Sequence, residues 1–126
     1  MSLQHVSLEV PPALADAEEA FWALLGFGPL QVPGPLDGRA RWVGRGDGTQ
    51  IHLLLTEDAV VPAQGHAAVV VEDHTATVQA LRDAGFAVDP RAEHWGAPRA
   101  FVRSPAGHRV ELMATPPPSA PIKDRR

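Results

Sequence analysis

The chain contains no cysteine and no tyrosine among its 126 residues. Without cysteine it can form no disulfide bond, no thiolate metal site and no cysteine nucleophile. No apolar run approaches the roughly 18 residues of a membrane-spanning helix, and no signal peptide is recognisable at the amino terminus. The net charge of −4 disfavours nucleic acid as a partner, because phosphate binding needs a basic face. We therefore expect a soluble cytoplasmic protein that interacts with neither nucleic acid nor membrane.

The composition is that of a folded domain. The apolar fraction of 44% and the charged fraction of 21% are typical of globular proteins, and the length suffices for one domain with its own core. Residues 1–115 are predicted to form this domain. Residues 116–126 contain four prolines and are predicted to be an extended tail.

An internal repeat with a period near 60 residues divides the domain. Gly26 precedes His52 by 26 residues, and Gly85 precedes Glu111 by the same distance. In each half the pattern indicates a strand, a helix and three further strands, which points to a duplicated module. The predicted parts are module one (1–56), a linker (57–65) and module two (66–115).

The fold class that follows is α+β, with two βαβββ modules in tandem forming cupped mixed sheets with helices outside. Apolar residues at every second position, such as Val6 with Leu8 and Val110 with Leu112, predict one sheet face packed under the helices. The polar residues between them face the inside of the cup.

Histidine begins the first strand of each module, at His5 and His66. The fourth strands carry His52 and Glu111 at equivalent positions, so a pseudo-twofold axis would gather all four side chains. His5, His66 and Glu111 would then form a two-histidine, one-carboxylate set that suits Fe, Mn, Ni, Co or Zn. His52 is either a fourth ligand or a base beside the metal, and a purely structural role for each histidine is the alternative.

Two aromatic residues are predicted to line a substrate cavity. Trp42 and Phe101 each follow the glycine of their module, Gly26 or Gly85, by 16 residues, so they would face each other across the cup. Ordinary core packing is the alternative. Arg99 shares the face of Phe101 and either binds a substrate anion or is a surface arginine.

Five stretches of the sequence together resemble a known group of proteins, the vicinal oxygen chelate superfamily. It includes glyoxalase I, extradiol dioxygenases, fosfomycin-resistance proteins and bleomycin-binding proteins. The resemblance covers nearly the whole chain to residue 114, with one departure at Ser104-Pro105, where the family usually has Asp-Pro. The resembling stretches are residues 5–10, 24–27, 66–73, 95–96 and 104–112.

The resemblance implies one divalent metal ion, a small-molecule substrate with neighbouring oxygen atoms, and a homodimer in which the site is within one chain or shared between two. In metal-dependent relatives the ligands stand where His5, His66 and Glu111 stand here, with a fourth sometimes at the position of His52. The metal would polarise the substrate oxygens as a Lewis acid.

Two classes of function remain open. The first is a metalloenzyme: a glyoxalase-like lyase or isomerase with His52 as catalytic base, a dioxygenase, or a resistance enzyme that adds a thiol. The lack of tyrosine disfavours extradiol ring cleavage, which in relatives commonly relies on a tyrosine near the metal. The second class is a metal-free protein that binds an antibiotic-type small molecule between Trp42 and Phe101.

Overall fold

The structure, a computed structural model, describes residues 3–124. Within that range the order of strands and helices is βαβββ, twice, and no helix there is long and apolar enough to cross a membrane. A short 3-10 turn precedes the first helix, and another precedes the third strand. The elements are β1 (His5–Val10), α1 (Ala15–Leu24), β2 (Gly28–Leu30), β3 (Ala40–Gly44), β4 (Gln50–Leu55), β5 (Ala67–Val70), α2 (His74–Asp83), β6 (Val88–Arg91), β7 (Arg99–Arg103) and β8 (Arg109–Met113).

Each module forms its own four-stranded mixed sheet. The strand order is β1-β4-β3-β2 in module one and β5-β8-β7-β6 in module two. In both sheets the first and last strands of the module pair in parallel, and the other neighbours are antiparallel. The predicted fold of two tandem βαβββ modules is therefore confirmed.

The hairpins that lead into β4 and β8 turn at equivalent glycines. Gly48 has a φ of 92° and Gly107 a φ of 93°, which is the left-handed region where a side chain would be strained. Because the two turns share this geometry, β4 and β8 leave them in the same way. His52 and Glu111 consequently occupy the same position in their sheets.

One apolar core lies between the sheets and the helices. Ile51, Leu53 and Leu112 are at most 2% exposed, on the face that the sequence pattern assigned to the core. Phe21 of α1 contacts Phe86 of module two, with ring centroids 5.2 Å apart. The modules therefore share a core.

A buried carboxylate also joins the modules. Glu18 on α1 is fully buried, and it accepts hydrogen bonds from the Trp22 indole at 3.0 Å and the Ala106 backbone N–H at 2.7 Å. Ala106 lies in the β7–β8 turn of module two. Close by, Nε2 of His108 donates to the Glu9 carbonyl oxygen at 2.7 Å. Two hydrogen bonds between a side chain and the backbone thus cross the module boundary here.

The sixth strand lies later than the sequence pattern indicated. The sequence pattern predicts a short strand over residues 86–88, directly after Gly85, but β6 is Val88–Arg91 and includes Pro90. This strand is at the edge of its sheet, where a residue without a backbone N–H is tolerated. The shift places Arg91 in the sheet, directly opposite Arg99.

Candidate functional site

The polar residues of module one form a column of stacked rings on the face away from the helices. His52 on β4 stacks on Trp42 of β3, with centroids 4.0 Å apart and planes 3° from parallel. His5 of β1 stacks on His52 at 3.9 Å and 14°. Trp42 and His52 are direct cross-strand partners, so the strand register itself produces this contact.

His52 is held as a neutral imidazole. Its side chain is buried, and Nε2 lies 2.8 Å from the Gln50 amide oxygen. Burial and then repulsion from His5 lower the pKa of His52 below its ordinary value of 6.5. A neutral imidazole offers one nitrogen lone pair, which can accept a proton or bind a metal.

The polar residues of module two form a charged cluster at the equivalent place. Glu111 on β8 is buried, and its Oε2 accepts a hydrogen bond from Nε of Arg99 at 2.9 Å. Its Oε1 lies 3.1 Å from Nε2 of His66. Burial raises the pKa of Glu111, but the hydrogen bonds and charges of Arg99 and His66 outweigh it, so the net pKa is lowered.

The two nitrogens of His66 face different acceptors. Nδ1 lies 2.9 Å from the Gln64 carbonyl oxygen, which can only accept, so Nδ1 carries a hydrogen. A neutral ring then points the lone pair of Nε2 at the Glu111 carboxylate, which is repulsive. This contact becomes favourable when a second proton or a metal cation lies at Nε2, and a histidine whose other N–H is fixed by a carbonyl is common among metal ligands.

The four predicted positions thus form two pairs. His5 lies against His52 in module one, and His66 lies against Glu111 in module two. Within residues 3–124 no three His, Asp or Glu side chains are grouped so that they could hold a metal ion. His5 and His66 do line one cavity of about 670 Å³, to which the edge strands β1 and β5 both contribute.

The residues of each pair fit half of a metal site. Module one offers two imidazoles, and module two offers an imidazole and a carboxylate, which together are the donors that first-row divalent metals take in proteins. The donor atoms therefore suit a metal ion if the pair from module one and the pair from module two come together at one site.

Solved structures resemble the chain over almost its whole length. A Bacillus anthracis protein assigned to the glyoxalase family has a TM-score of 0.80 and 23% identity, over 90% of this chain and 93% of that one. The chain has the vicinal oxygen chelate fold. A glyoxalase/dioxygenase from Nostoc punctiforme has a TM-score of 0.73 and 16% identity, covering 92% of both chains. A bleomycin resistance determinant encoded on transposon Tn5 has a TM-score of 0.62 and 18% identity, over 86% of this chain and 94% of that one.

No protein-family model matches the sequence, and neither does any curated protein. At these identities the solved structures establish the vicinal oxygen chelate fold alone. The reaction and the ligand have to be inferred from the side chains of this chain.

The two aromatic residues lie in separate cavities of this fold. Trp42 lines a cavity of about 800 Å³ in module one, and Phe101 lines one of about 370 Å³ in module two. That Trp42 and Phe101 face each other across one substrate cavity stays a prediction.

Arg99 is bound to protein groups on two sides. Besides its contact with Glu111, its Nη1 donates to the Ala92 carbonyl oxygen at 2.8 Å. Its guanidinium carbon also lies 5.5 Å from the centre of the Phe101 ring. Arg99 therefore orients Glu111 in this structure, and binding of a substrate anion by Arg99 stays a prediction.

The sequence pattern did not single out Arg91 and Arg109. Their guanidinium carbons lie 5.1 Å and 4.9 Å from the centre of the Phe101 ring. Strand alternation carries enough signal to place Arg109 on the Glu111 face, two residues away. Arg91 could not be found in this way, because the sequence pattern predicts a loop over residues 91–98, whereas the structure has Arg91 in β6.

Proposed function

We propose that this protein is a divalent-metal-dependent enzyme that acts on a small molecule with neighbouring oxygen atoms, in the manner of a glyoxalase-like lyase or isomerase, or of a dioxygenase. The observation that carries the proposal is the environment of His66. Its Nδ1 is fixed by the Gln64 carbonyl at 2.9 Å, and its Nε2 faces the Glu111 carboxylate at 3.1 Å. A cation held by His66 and Glu111 would offset the repulsion between the lone pair of a neutral His66 ring and the carboxylate.

The ligands in this proposal are His5, His66 and Glu111. A divalent metal, when bound, would polarise the substrate oxygens as a Lewis acid. Arg99 keeps the Glu111 carboxylate in place through its 2.9 Å hydrogen bond. Trp42 and Phe101 would border the substrate.

His52 would serve as the catalytic base. It is neutral near pH 7, because burial and the neighbouring His5 lower its pKa. Gln50 holds its Nε2 at 2.8 Å, and the ring stacks on Trp42, so its orientation is fixed. Nδ1 is then the nitrogen that takes a proton from the substrate. A positioned base of this kind contributes roughly 10²–10⁴-fold to a rate.

We further propose that the site is completed in a homodimer. The pair His5–His52 of one chain would meet the pair His66–Glu111 of its partner. This arrangement is supported by the finding that, within residues 3–124 of one chain, no three such side chains are grouped to hold a metal ion.

Metal analysis of protein prepared without a histidine tag tests the ligand set. We expect about one divalent metal per chain in the wild type. Glu111→Gln should lose most of it, because the change removes the only anionic ligand. Glu57→Gln at an exposed turn removes the same charge and should keep the metal. Equal metal content in both variants would contradict the proposed ligands.

Mixing two inactive chains tests whether the site is shared. A dimer of one His5→Ala chain and one Glu111→Gln chain contains one intact site if the ligands come from both chains, because the wild-type His5 of one faces the wild-type Glu111 of the other. If each site lies within one chain, the mixed dimer has none. Metal bound by the mixture but by neither variant alone supports a shared site, and failure to recover metal after subunit exchange argues against it.

A metal-free binding protein is the second candidate, and one observation favours it. The guanidinium of Arg99 already supplies a positive charge 2.9 Å from the Glu111 carboxylate, which would repel a metal placed beside it. The similarity to a bleomycin resistance determinant agrees with an antibiotic-type ligand. Titrating candidate ligands with and without EDTA separates the two candidates. Tight binding without conversion and unaffected by EDTA would establish the binder and refute the enzyme.

A further inference from the structure

Arginines are concentrated on the open face of the module-two sheet. Strand alternation and register place them on the same face as Phe101 and Glu111. That face also carries two carboxylates, Asp89 and Glu111, so its local charge is positive in a chain whose net charge is −4. The four arginines are Arg91, Arg99, Arg103 and Arg109.

The register sets these arginines directly opposite one another in pairs. Arg91 is the cross-strand partner of Arg99, and Arg103 is the partner of Arg109. Like charges at directly opposed positions destabilise a sheet. The two arginine pairs, one on either side of Phe101, therefore do not stabilise the sheet. Departures from stabilising patterns are expected at functional sites.

Phe101 organises the guanidinium groups. The guanidinium carbons of Arg91, Arg99 and Arg109 lie 5.1, 5.5 and 4.9 Å from the centre of its ring, within the range of cation–π attraction. The ring thus holds three positive groups near one point. Arg91, Arg103 and Arg109 line the same cavity of about 370 Å³ as Phe101.

These arginines differ in the ion pairs and hydrogen bonds that their guanidinium groups form with protein groups. Arg91 pairs with Asp89 at 3.1 Å, and Arg103 donates to the Gly107 carbonyl oxygen at 3.0 Å. Arg109 has no ion-pair partner among the side chains of residues 3–124. Its guanidinium presents several N–H donors to the cavity, and a guanidinium fork matches a carboxylate or phosphate group.

We propose that the cavity around Phe101 is a binding site for a small organic anion, whose carboxylate or phosphate group is held by Arg109 with Arg91 and Arg103. The inference rests on the proposed small-molecule function and names the substrate class. The His66 ring lies 5.3 Å from the Phe101 ring, so the anionic end of the substrate would bind beside the His66–Glu111 pair.

Calorimetric titration of EDTA-treated protein tests this site. Benzoate and phenyl phosphate are the probes for the two anionic groups, and benzamide is the neutral analogue of benzoate in shape. We expect at least one anion to bind and benzamide to bind at least about tenfold more weakly, because charge-assisted hydrogen bonds are the stronger kind. The anion with the higher affinity identifies the preferred group.

Variants locate the site. Arg109→Gln and Arg91→Gln should each weaken binding of the preferred anion by about tenfold or more. Arg39→Gln is the matched control, since Arg39 is exposed in module one and its loss changes the net charge equally. Circular dichroism confirms that each variant is folded, and Arg103→Gln is the substitute if one is not.

Several results would overturn the anion site: no binding of either anion at millimolar concentration, equal binding of benzamide, or equal weakening by Arg39→Gln. Metal content of the same proteins separates this proposal from the metal site. If the wild type holds no metal but anion binding depends on Arg109, only the metal proposal fails. If metal is bound normally and Arg109→Gln binds the anions like wild type, only the anion site fails.

Discussion

Glu18 lies in the first turn of α1 and accepts hydrogen bonds from the Trp22 indole and the Ala106 backbone N–H. Glu18→Ala leaves both donors without an acceptor, and each unsatisfied buried group costs about 1–3 kcal/mol. We expect the free energy of unfolding, measured with urea, to fall by roughly 2–5 kcal/mol. Glu57→Ala at an exposed turn should change it by less than about 0.5 kcal/mol. Similar losses in both variants would contradict this role.

His74 makes stability depend on pH. Burial lowers its pKa below the ordinary value of 6.5, and no partner within residues 3–124 pairs its buried Nδ1. Below pH 6.5 the unfolded chain therefore binds a proton that the folded chain resists, so this contribution to stability is present above that pH and is lost as the pH falls through the folded pKa.

The variant His74→Gln should lose this part of the pH dependence. Its stability relative to wild type should rise as the pH is lowered from 7 through the range in which histidine titrates. Urea midpoints across that range measure the effect. His94→Gln, at an exposed loop position, is the control for the loss of an imidazole, and a His74→Gln profile parallel to wild type would refute the assignment.

Among the helices, α2 has a side-chain cap and α1 does not. The Asp73 carboxylate accepts a hydrogen bond from the Ala76 backbone N–H at 3.0 Å, whereas Leu14 precedes α1 and offers no such acceptor. Asp73→Ala should lower the free energy of unfolding by about 0.5–2 kcal/mol. Asp73→Asn keeps an acceptor and should lose much less in the same urea measurement, so equal losses would argue against capping.

The strands that carry the candidate ligands His52 and Glu111 were predictable, because apolar and polar residues alternate strongly in β4 and β8. Ile51 and Leu112 lie in the core as expected, and His52 and Glu111 lie on the opposite face. The contacts within that face were not predictable. Stacking of His5 on His52 and pairing of Arg99 with Glu111 depend on rotamers and on diagonal neighbours, which alternation does not specify.

For the whole molecule, the duplicated pattern predicted two modules but not how their polar pairs meet. A pseudo-twofold relation is satisfied equally by one chain closing on itself and by two chains exchanging halves. The sequence carries no signal that distinguishes a site within one chain from a site shared by two chains, because the same strand faces form the site in both arrangements. The clustering of His5, His66 and Glu111 therefore stays a prediction, with the mixed-chain experiment as its test.

The bond between Glu18 and Ala106 joins residues 88 positions apart, and it does not require the chain to be continuous between them. Each sheet is complete within its own module, so a chain cut after residue 63 should reassemble by fragment complementation. Co-expressed fragments 1–63 and 64–126, with a tag on one only, should purify together as a folded complex. Glu18→Ala in the first fragment should abolish recovery of the second, whereas Glu57→Ala should not. Such a split protein would report on the joining of the modules separately from the folding of each.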